Sequence, residues 1–203
     1  MKKYYIIFIL MSFLSCKVHD LSKQDYKKTP KELKEKRIVE DTNTVFYFIR
    51  HAQKLNDGSD DSNLSDSGRE QVKKYISYFK DKRLDSVFTT NFNRTIQTGV
   101  PIAQSKNIYG DFYNPNHVVA EDWIKKHKGQ AILIVGHSNT TPHLVNKFIG
   151  QMKYMQMMDD NFSDIYRIII SNEKIYEDLL NLEEEVLLQE IHLNGEEKNK
   201  NLR

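Results

Sequence analysis

The sequence predicts an α/β fold, a three-layer sandwich with a mostly parallel sheet as its middle layer. Two continuous apolar, β-prone runs carry this prediction, at residues 45–49 and 131–135. Strands that are buried on both faces lack the polar alternation of half-exposed strands, and both runs have that character. Strand and helix patterns alternate along the chain between them, which is typical of a sheet covered by helices on both faces.

The first helix of the domain is predicted after the first strand and a polar loop. Ser65 is a good N-cap, and the apolar residues beyond it recur at helical spacing, namely Val72, Tyr75, Ile76 and Phe79. A second helix, running through Ile96, is predicted to have Asn91 or Asn93 as its N-cap, with Pro101 kinking or restarting it.

Shorter patterns complete the alternation. Strands are predicted at residues 86–89, 108–113 and 164–171, the last paired with residues 174–182, and helices at residues 117–127 and 141–148. The domain is therefore placed at residues 44–182. Residues 183–203 are a polar tail that either forms a terminal helix or frays.

The N-terminus is typical of a secretory signal. Two lysines precede an apolar run over residues 4–14, and a basic start followed by a short apolar stretch is the pattern of a signal peptide. The run is about half of the roughly 20 residues that span a bilayer, so a permanent transmembrane helix is not expected. Residues 1–15 are assigned to the signal peptide.

Cys16, the single cysteine, stands where this run stops. The segment Phe13-Leu14-Ser15-Cys16 resembles a bacterial lipobox, although Phe13 departs from the usual aliphatic residue. The resemblance implies a lipidated Cys16, a charged spacer over residues 16–43, and an extracytoplasmic, membrane-anchored protein in the periplasm or at the cell surface. A plain signal peptide with an incidental cysteine is the alternative.

Composition and charge limit the classes of partner. Hydrophobic residues make up 39% and charged residues 29% of the chain, as in a globular protein. The chain carries 30 basic and 28 acidic residues, and removal of the signal peptide takes away two lysines and leaves 28 of each. A net charge near zero gives no electrostatic footprint for nucleic acid.

Four cationic or imidazole side chains follow three of the predicted strands. Arg50 and His51 follow the first strand, Arg94 lies in the first helical turn after residues 86–89, and His137 follows the run at 131–135. Because parallel strands place their carboxyl ends at one edge of a sheet, these side chains are expected to converge. Two guanidiniums and two imidazoles together suit a dianion such as phosphate.

Four motifs around these residues resemble those of the histidine phosphatase (phosphoglycerate mutase-like) superfamily. They are FIRHAQK at 48–54, LSDSGREQ at 64–71, TTNFNRTIQT at 89–98 and IVGHSNT at 134–140. Each motif alone is weak, but the set, in this order over about residues 44–150, is specific. The resemblance implies the phosphoglycerate mutase-like fold.

The resemblance also implies the roles of the site residues. His51 attacks phosphorus and becomes a phosphohistidine, while Arg50, Arg94 and His137 bind the phosphoryl oxygens. A nucleophilic imidazole must be neutral, and neighbouring cations favour the neutral form. No metal or cofactor is required. The implied substrate is a phosphomonoester or phosphoramidate, either a phosphorylated small molecule or a phosphoprotein.

The general acid that protonates the leaving group is harder to assign. Relatives of the mutase kind place an acid between the second arginine and the second histidine, where this chain has Asp111, Glu121 and Asp122. None of the three stands in a recognisable motif, and the pair at 121–122 also fits the exposed face of an ordinary helix. Without a strong acid, substrates with good leaving groups are favoured.

Two other functions compete with the phosphatase. The first is a non-catalytic phosphate-binding or interaction module on the same fold, which the missing acid motivates. The second is a zinc hydrolase that uses His51, His137 and His143. If no zinc is bound, His143 is expected at most to support the site from behind the His137 loop. Adjacent arginines make a dication site unattractive, and no HExxH or clustered carboxylate spacing is present.

Overall fold

The computed structural model describes residues 43–200, with side chains given as far as residue 193. The predicted signal peptide, Cys16 and nearly all of the predicted spacer lie outside the described residues. Within the described part, none of the helices combines the length and the apolar character that a bilayer-spanning segment needs.

Strands and helices alternate through this part of the chain. The strands are β1 (Thr44–Arg50), β2 (Ser86–Thr89), β3 (Gly110–Phe112), β4 (Ala131–Gly136), β5 (Asp164–Ser171) and β6 (Lys174–Asn181). The helices are α1 (Asp66–Phe79), α2 (Asn93–Ser105), α3 (Ala120–Lys126), α4 (Thr140–Ile149) and α5 (Leu182–Lys200), and a 3₁₀ turn spans Pro115–His117.

The six strands form one sheet in the order β3-β2-β4-β1-β5-β6. β1, β2, β3 and β4 are parallel, whereas β5 runs antiparallel to β1 and forms a hairpin with β6. The predicted mostly parallel α/β sheet and the predicted hairpin are both confirmed. β1 and β4, the two apolar runs, are neighbours at its centre.

Each face of the sheet packs against helices, which gives the three predicted layers. Alternate β1 side chains enter opposite cores: Tyr47 packs with α1 and α2, and Phe46 and Phe48 pack with α3 and α4. Phe148 of α4 meets Phe46 and Phe48 edge-on, with ring centroids 4.8 and 5.0 Å apart. Burying one such side chain contributes about 1.5–3 kcal/mol, so the central strands are held firmly from both sides.

The start of α2 differs from the prediction. The N-cap residue is Phe92, which makes no side-chain cap, and neither asparagine caps the helix. Instead the Asn93 backbone N–H donates to the Asp61 carboxylate at 2.7 Å, so a distant loop supplies the cap. Pro101 lies inside a continuous helix, because burial of the neighbouring Ile102 and Ala103 in the core outweighs the one missing backbone hydrogen bond.

Two further boundaries are corrected. The helix predicted at 117–127 is interrupted, because Val118 and Val119 adopt extended backbone conformations and separate the 3₁₀ turn from α3. The strand predicted at 108–113 is limited to three residues. Beyond β6 the tail is helical, with its first residue, Leu182, buried in the core.

Candidate active site

His51 lies directly after β1, at the centre of the carboxyl edge of the sheet. Its backbone N–H donates to the Gly136 carbonyl at 2.9 Å, which continues the pairing of β1 with β4. The side chain is buried, and its Nδ1 lies 2.8 Å from the Ala52 carbonyl oxygen. Because a carbonyl can only accept, Nδ1 carries the proton of the neutral ring. The Nε2 lone pair is therefore available for a substrate.

The surroundings of His51 keep the ring neutral. Burial is the largest cause that lowers its pKa, and the nearby His137, Arg50 and Arg94 lower it further. The hydrogen bond to Ala52 acts in the opposite direction, and the resulting pKa is about 3. A neutral, desolvated imidazole among cations is the protonation state that a nucleophile requires.

Arg50, the last residue of β1, is held from one side. Its Nη1 donates to the carbonyls of Met158, Asp159 and Asn161 at 2.9, 3.0 and 2.9 Å, and its guanidinium lies 4.0 Å from the centroid of the Phe162 ring. Burial lowers the pKa of Arg50, against the opposing effect of carboxylates nearby.

The Nε of Arg50 is buried and has no hydrogen-bond partner among the described residues. Buried donors are rarely left unpaired in a native protein, because each unpaired donor costs about 1–3 kcal/mol. Arg50 therefore keeps, besides its saturated Nη1, a donor for which the described residues supply no acceptor, and oxyanions are the acceptors that guanidiniums bind most strongly.

Arg94 lies in the first turn of α2. Its Nη1 donates to the Asp60 carbonyl at 2.9 Å and is 3.9 Å from the Asp61 carboxylate. The Phe92 ring lies 4.4 Å from its guanidinium. Burial lowers the pKa of Arg94, and Asp61 opposes that shift. The loop before α1 thus fixes this arginine much as residues 158–161 fix Arg50.

His137 follows β4 and lies next to His51. The two ring centroids are 5.5 Å apart, and Nε2 of His137 is 2.9 Å from the Thr90 hydroxyl oxygen. Burial, then Arg94 and then Arg50, lower the pKa of His137 to about 4. Both imidazoles are therefore neutral near pH 7 when no ligand is bound.

Two glycines allow the close approaches that build this edge. A Cβ at Gly68 would lie 2.0 Å from the Gln53 carbonyl oxygen, so only glycine lets the start of α1 contact the segment after His51. A Cβ at Gly136 would lie 2.8 Å from the Thr141 hydroxyl and 2.9 Å from the Tyr113 hydroxyl. A larger residue at Gly68 would displace the backbone that follows His51, and one at Gly136 would displace the Thr141 and Tyr113 side chains next to the start of the His137 segment.

The structure brings four of the predicted site residues together and leaves two apart. His51, Arg50, Arg94 and His137 form one group, in which the pKa of each histidine is lowered by both arginines. Asp111 accepts from its own neighbour's N–H on the exposed edge strand β3, and Glu121 is exposed on α3. Within residues 43–193, no hydrogen bond or ion pair links either carboxylate to the group.

The three histidines of the zinc alternative do not form a metal site. His143 is exposed on α4, and the described residues contain no cluster of three or more metal-ligating side chains. The geometry therefore gives no support to that alternative.

Several residues that complete the site were not singled out by the sequence analysis. Phe162 and the carbonyls of residues 158–161 surround Arg50, and Phe92 packs on both Arg94 and His137. Thr90 lies within the motif TTNFNRTIQT but was assigned no role from the sequence. Its position directly after β2 was the available signal, whereas backbone carbonyls of a distant loop leave no signal in a sequence.

Part of the sequence is similar to a known family. The sequence profile of the histidine phosphatase superfamily (branch 1) matches residues 46–112. No curated protein is similar enough in sequence to count as a match.

Solved structures share the fold. A variant of phosphoserine phosphatase from Entamoeba histolytica, in complex with phosphoserine, superposes with a TM-score of 0.56 at 12% identity, over 70% of this chain and 98% of its own. The protein histidine phosphatase SixA with tungstate gives 0.55 at 13%, over 68% and 97%. The alpha-ribazole phosphatase of Shigella flexneri gives 0.51 at 16%, over 68% and 96%.

Proposed function

We propose that this chain, whose residues 46–112 match the profile of the histidine phosphatase superfamily, is a member of that superfamily and removes a phosphoryl group from a phosphomonoester or phosphoramidate through a phosphohistidine on His51. One observation carries the proposal: a neutral His51, with its Nε2 free of hydrogen bonds, lies beside Arg50, and the buried Nε of Arg50 has no partner among the described residues. A neutral imidazole next to a guanidinium that keeps an unpaired donor suits phosphoryl transfer.

The chemistry divides into two displacements. In the first, the Nε2 lone pair attacks phosphorus and the bond to the leaving group breaks, with its electron pair going to that group, which leaves as an anion and takes its proton from solvent water. In the second, water attacks phosphorus, the P–N bond breaks, and His51 returns to its neutral form as inorganic phosphate leaves. Arg50 and Arg94 stay charged throughout and stabilise the phosphoryl oxygens, for which fixed guanidiniums are well suited.

The kind of leaving group that the site can release depends on whether a carboxylic acid lies near enough to protonate it. No described carboxylate hydrogen-bonds to His51 or His137, and those near the arginines, Asp61 and Asp159, lie beside positive charge. We propose that the preferred substrates have good leaving groups, such as aryl phosphates and phosphoramidates. The phosphatases of similar fold are named for different substrates. Their names therefore do not indicate which of these substrate classes this chain prefers.

A substrate panel on matched variants tests the proposal. Wild type, His51→Ala and His143→Ala would be assayed on phenyl phosphate, phosphoserine, a phosphohistidine and a nucleotide. His143 is exposed on α4 and serves as the control. We expect turnover and an acid-labile phosphoryl label in wild type and in the control, and neither in His51→Ala. Unchanged hydrolysis by a folded His51→Ala would end the proposal.

A phosphate-binding module without turnover is the second candidate, and the absence of a positioned carboxylate within the described residues favours it. This candidate predicts that inorganic phosphate raises the melting temperature of wild type while no ester in the panel is hydrolysed. The same measurement on Arg50→Ala would show whether the stabilisation depends on this site.

We propose that the domain is held at a membrane surface through a lipid on Cys16, outside the cytoplasm. The lipobox-like segment 13–16 supports this proposal. The Cys16→Ser variant should move from the membrane fraction to the soluble fraction, and mass spectrometry of the wild-type N-terminus should show the lipid. Retention of the variant on membranes would refute the anchor.

A further inference from the structure

The hydroxyl groups of Thr90 and Thr95 form a buried chain behind His137. Nε2 of His137 lies 2.9 Å from Thr90 Oγ1, and Thr90 Oγ1 lies 3.0 Å from Thr95 Oγ1. Thr95 Oγ1 lies 2.8 Å from the carbonyl oxygens of both Thr90 and Phe92. Both threonines are buried, so water does not offer alternative partners.

The direction of these hydrogen bonds follows from counting protons. Thr95 has one hydroxyl proton, and it must point to one of the two carbonyls, because carbonyls cannot donate. Thr95 Oγ1 therefore accepts from Thr90, which uses the only hydroxyl proton of Thr90. Thr90 Oγ1 can then only accept from His137. The reverse direction would place the Thr95 oxygen against two carbonyl oxygens at 2.8 Å with no proton between them.

We infer that Thr90 and Thr95 fix the tautomer of His137, with the proton on Nε2, so that Nδ1 is the nitrogen presented to the substrate. The described residues give Nδ1 no hydrogen bond. The two histidines are thus oriented oppositely: Ala52 leaves Nε2 of His51 free, and Thr90 leaves Nδ1 of His137 free.

The functional consequence rests on the proposed phosphatase activity. Neutral His137 offers Nδ1 as an acceptor, so it either accepts a hydrogen bond from a protonated phosphoryl oxygen or takes up one proton when a dianion binds. His51, Arg50 and Arg94 are the charged and titratable groups around it. Thr90 and Thr95 are positioning residues, because they act through the ring and not on the substrate.

The ring nitrogen spectrum of His137 tests the inference without any catalysis. In protein labelled with ¹⁵N-histidine at pH 7, with no ligand, His137→Gln identifies the signals. We expect the protonated nitrogen of His137 to be Nε2. A wild-type ring with its proton on Nδ1 would overturn the inference, even if the enzyme proves to be an active phosphatase.

Three variants then link the tautomer to function. Thr90→Val keeps the shape and removes the hydroxyl, Thr90→Ser keeps the hydroxyl, and Thr44→Val makes the same change at the far end of β1, where the Thr44 hydroxyl accepts from Gly129. With phenyl phosphate, we expect Thr90→Val to lower kcat about tenfold with little change in KM and to mix the two tautomers.

We expect Thr90→Ser to restore both readouts and Thr44→Val to match wild type in both. A folded Thr90→Val with the wild-type tautomer and the wild-type kcat contradicts the inference. If Thr90→Val does not fold, the wild-type spectrum and the response of Thr90→Ser still decide it. Absence of turnover in every protein, with the Nε2 tautomer present, would reject the phosphatase and keep the assignment of the tautomer.

Discussion

The centre and the outer edge of the sheet contribute differently to this site. β1 and β4 are buried along their whole lengths and end in Arg50, His51 and His137. β3 is exposed at every residue and carries Asp111. Groups on the central strands are fixed by packing on both faces, which pre-organises them for phosphoryl transfer. Groups on the edge strand face water. Burial of the strand, more than position in the sequence, therefore decides which polar residues join the site.

The largest effect on catalysis is expected at Arg94, an arginine near the centre of the sheet edge. Arg94→Lys keeps the charge but loses the planar fork that donates to Asp60 and faces the site, so we expect kcat to fall roughly 10²-fold. Initial rates on phenyl phosphate measure this. Arg69→Lys, on an exposed turn of α1, is the control. Equal rates in both variants would show that Arg94 only adds charge.

An intermediate effect is expected on stability in acid. The pKa of His51 is about 3 in the folded protein and about 6.5 when unfolded. Below pH 6.5 the His51 imidazole therefore binds a proton in the unfolded chain but not in the native state. The free energy of unfolding consequently falls as pH falls. The loss is up to about 2 kcal/mol at pH 5 for this group.

Urea unfolding of wild type and His51→Gln at pH 7 and pH 5 measures that loss. We expect the glutamine variant to lose less stability on acidification, by up to the same amount, because its side chain does not titrate. His143→Gln, on the exposed face of α4, should behave as wild type does. Identical losses in all three proteins would mean that His51 is protonated normally in the folded state.

The smallest effects are expected at the outer edge. Asp111→Asn and Glu121→Gln should change kcat less than about twofold, because solvated carboxylates without contacts to the site contribute little to it. The test uses phenyl phosphate beside phosphoserine, whose poorer leaving group needs an acid more. A tenfold loss of kcat on phosphoserine alone would identify the substituted carboxylate as the general acid and would show that the edge strand or α3 contributes to the site.

The sequence predicted the elements that matter most for the site. β1 and β4 were recognised because full burial leaves an unbroken apolar run, and α1 was recognised by Ser65, whose hydroxyl accepts from the Gly68 N–H. The start of α2 was missed, because its cap is the Asp61 carboxylate, 32 positions away. Local patterns carry local hydrogen bonds and do not carry those that a remote loop supplies.

What the sequence alone determined is the convergence of the four side chains, since the order of parallel strands places their carboxyl ends along one edge whatever the details of packing. Only the tertiary structure decided which nitrogen each histidine leaves free and which face of Arg50 remains unpaired. Those choices depend on carbonyls and hydroxyls from other segments, such as residues 158–161, which lie 108–111 positions from Arg50. Backbone groups are the same in every residue, so no sequence pattern records where they point.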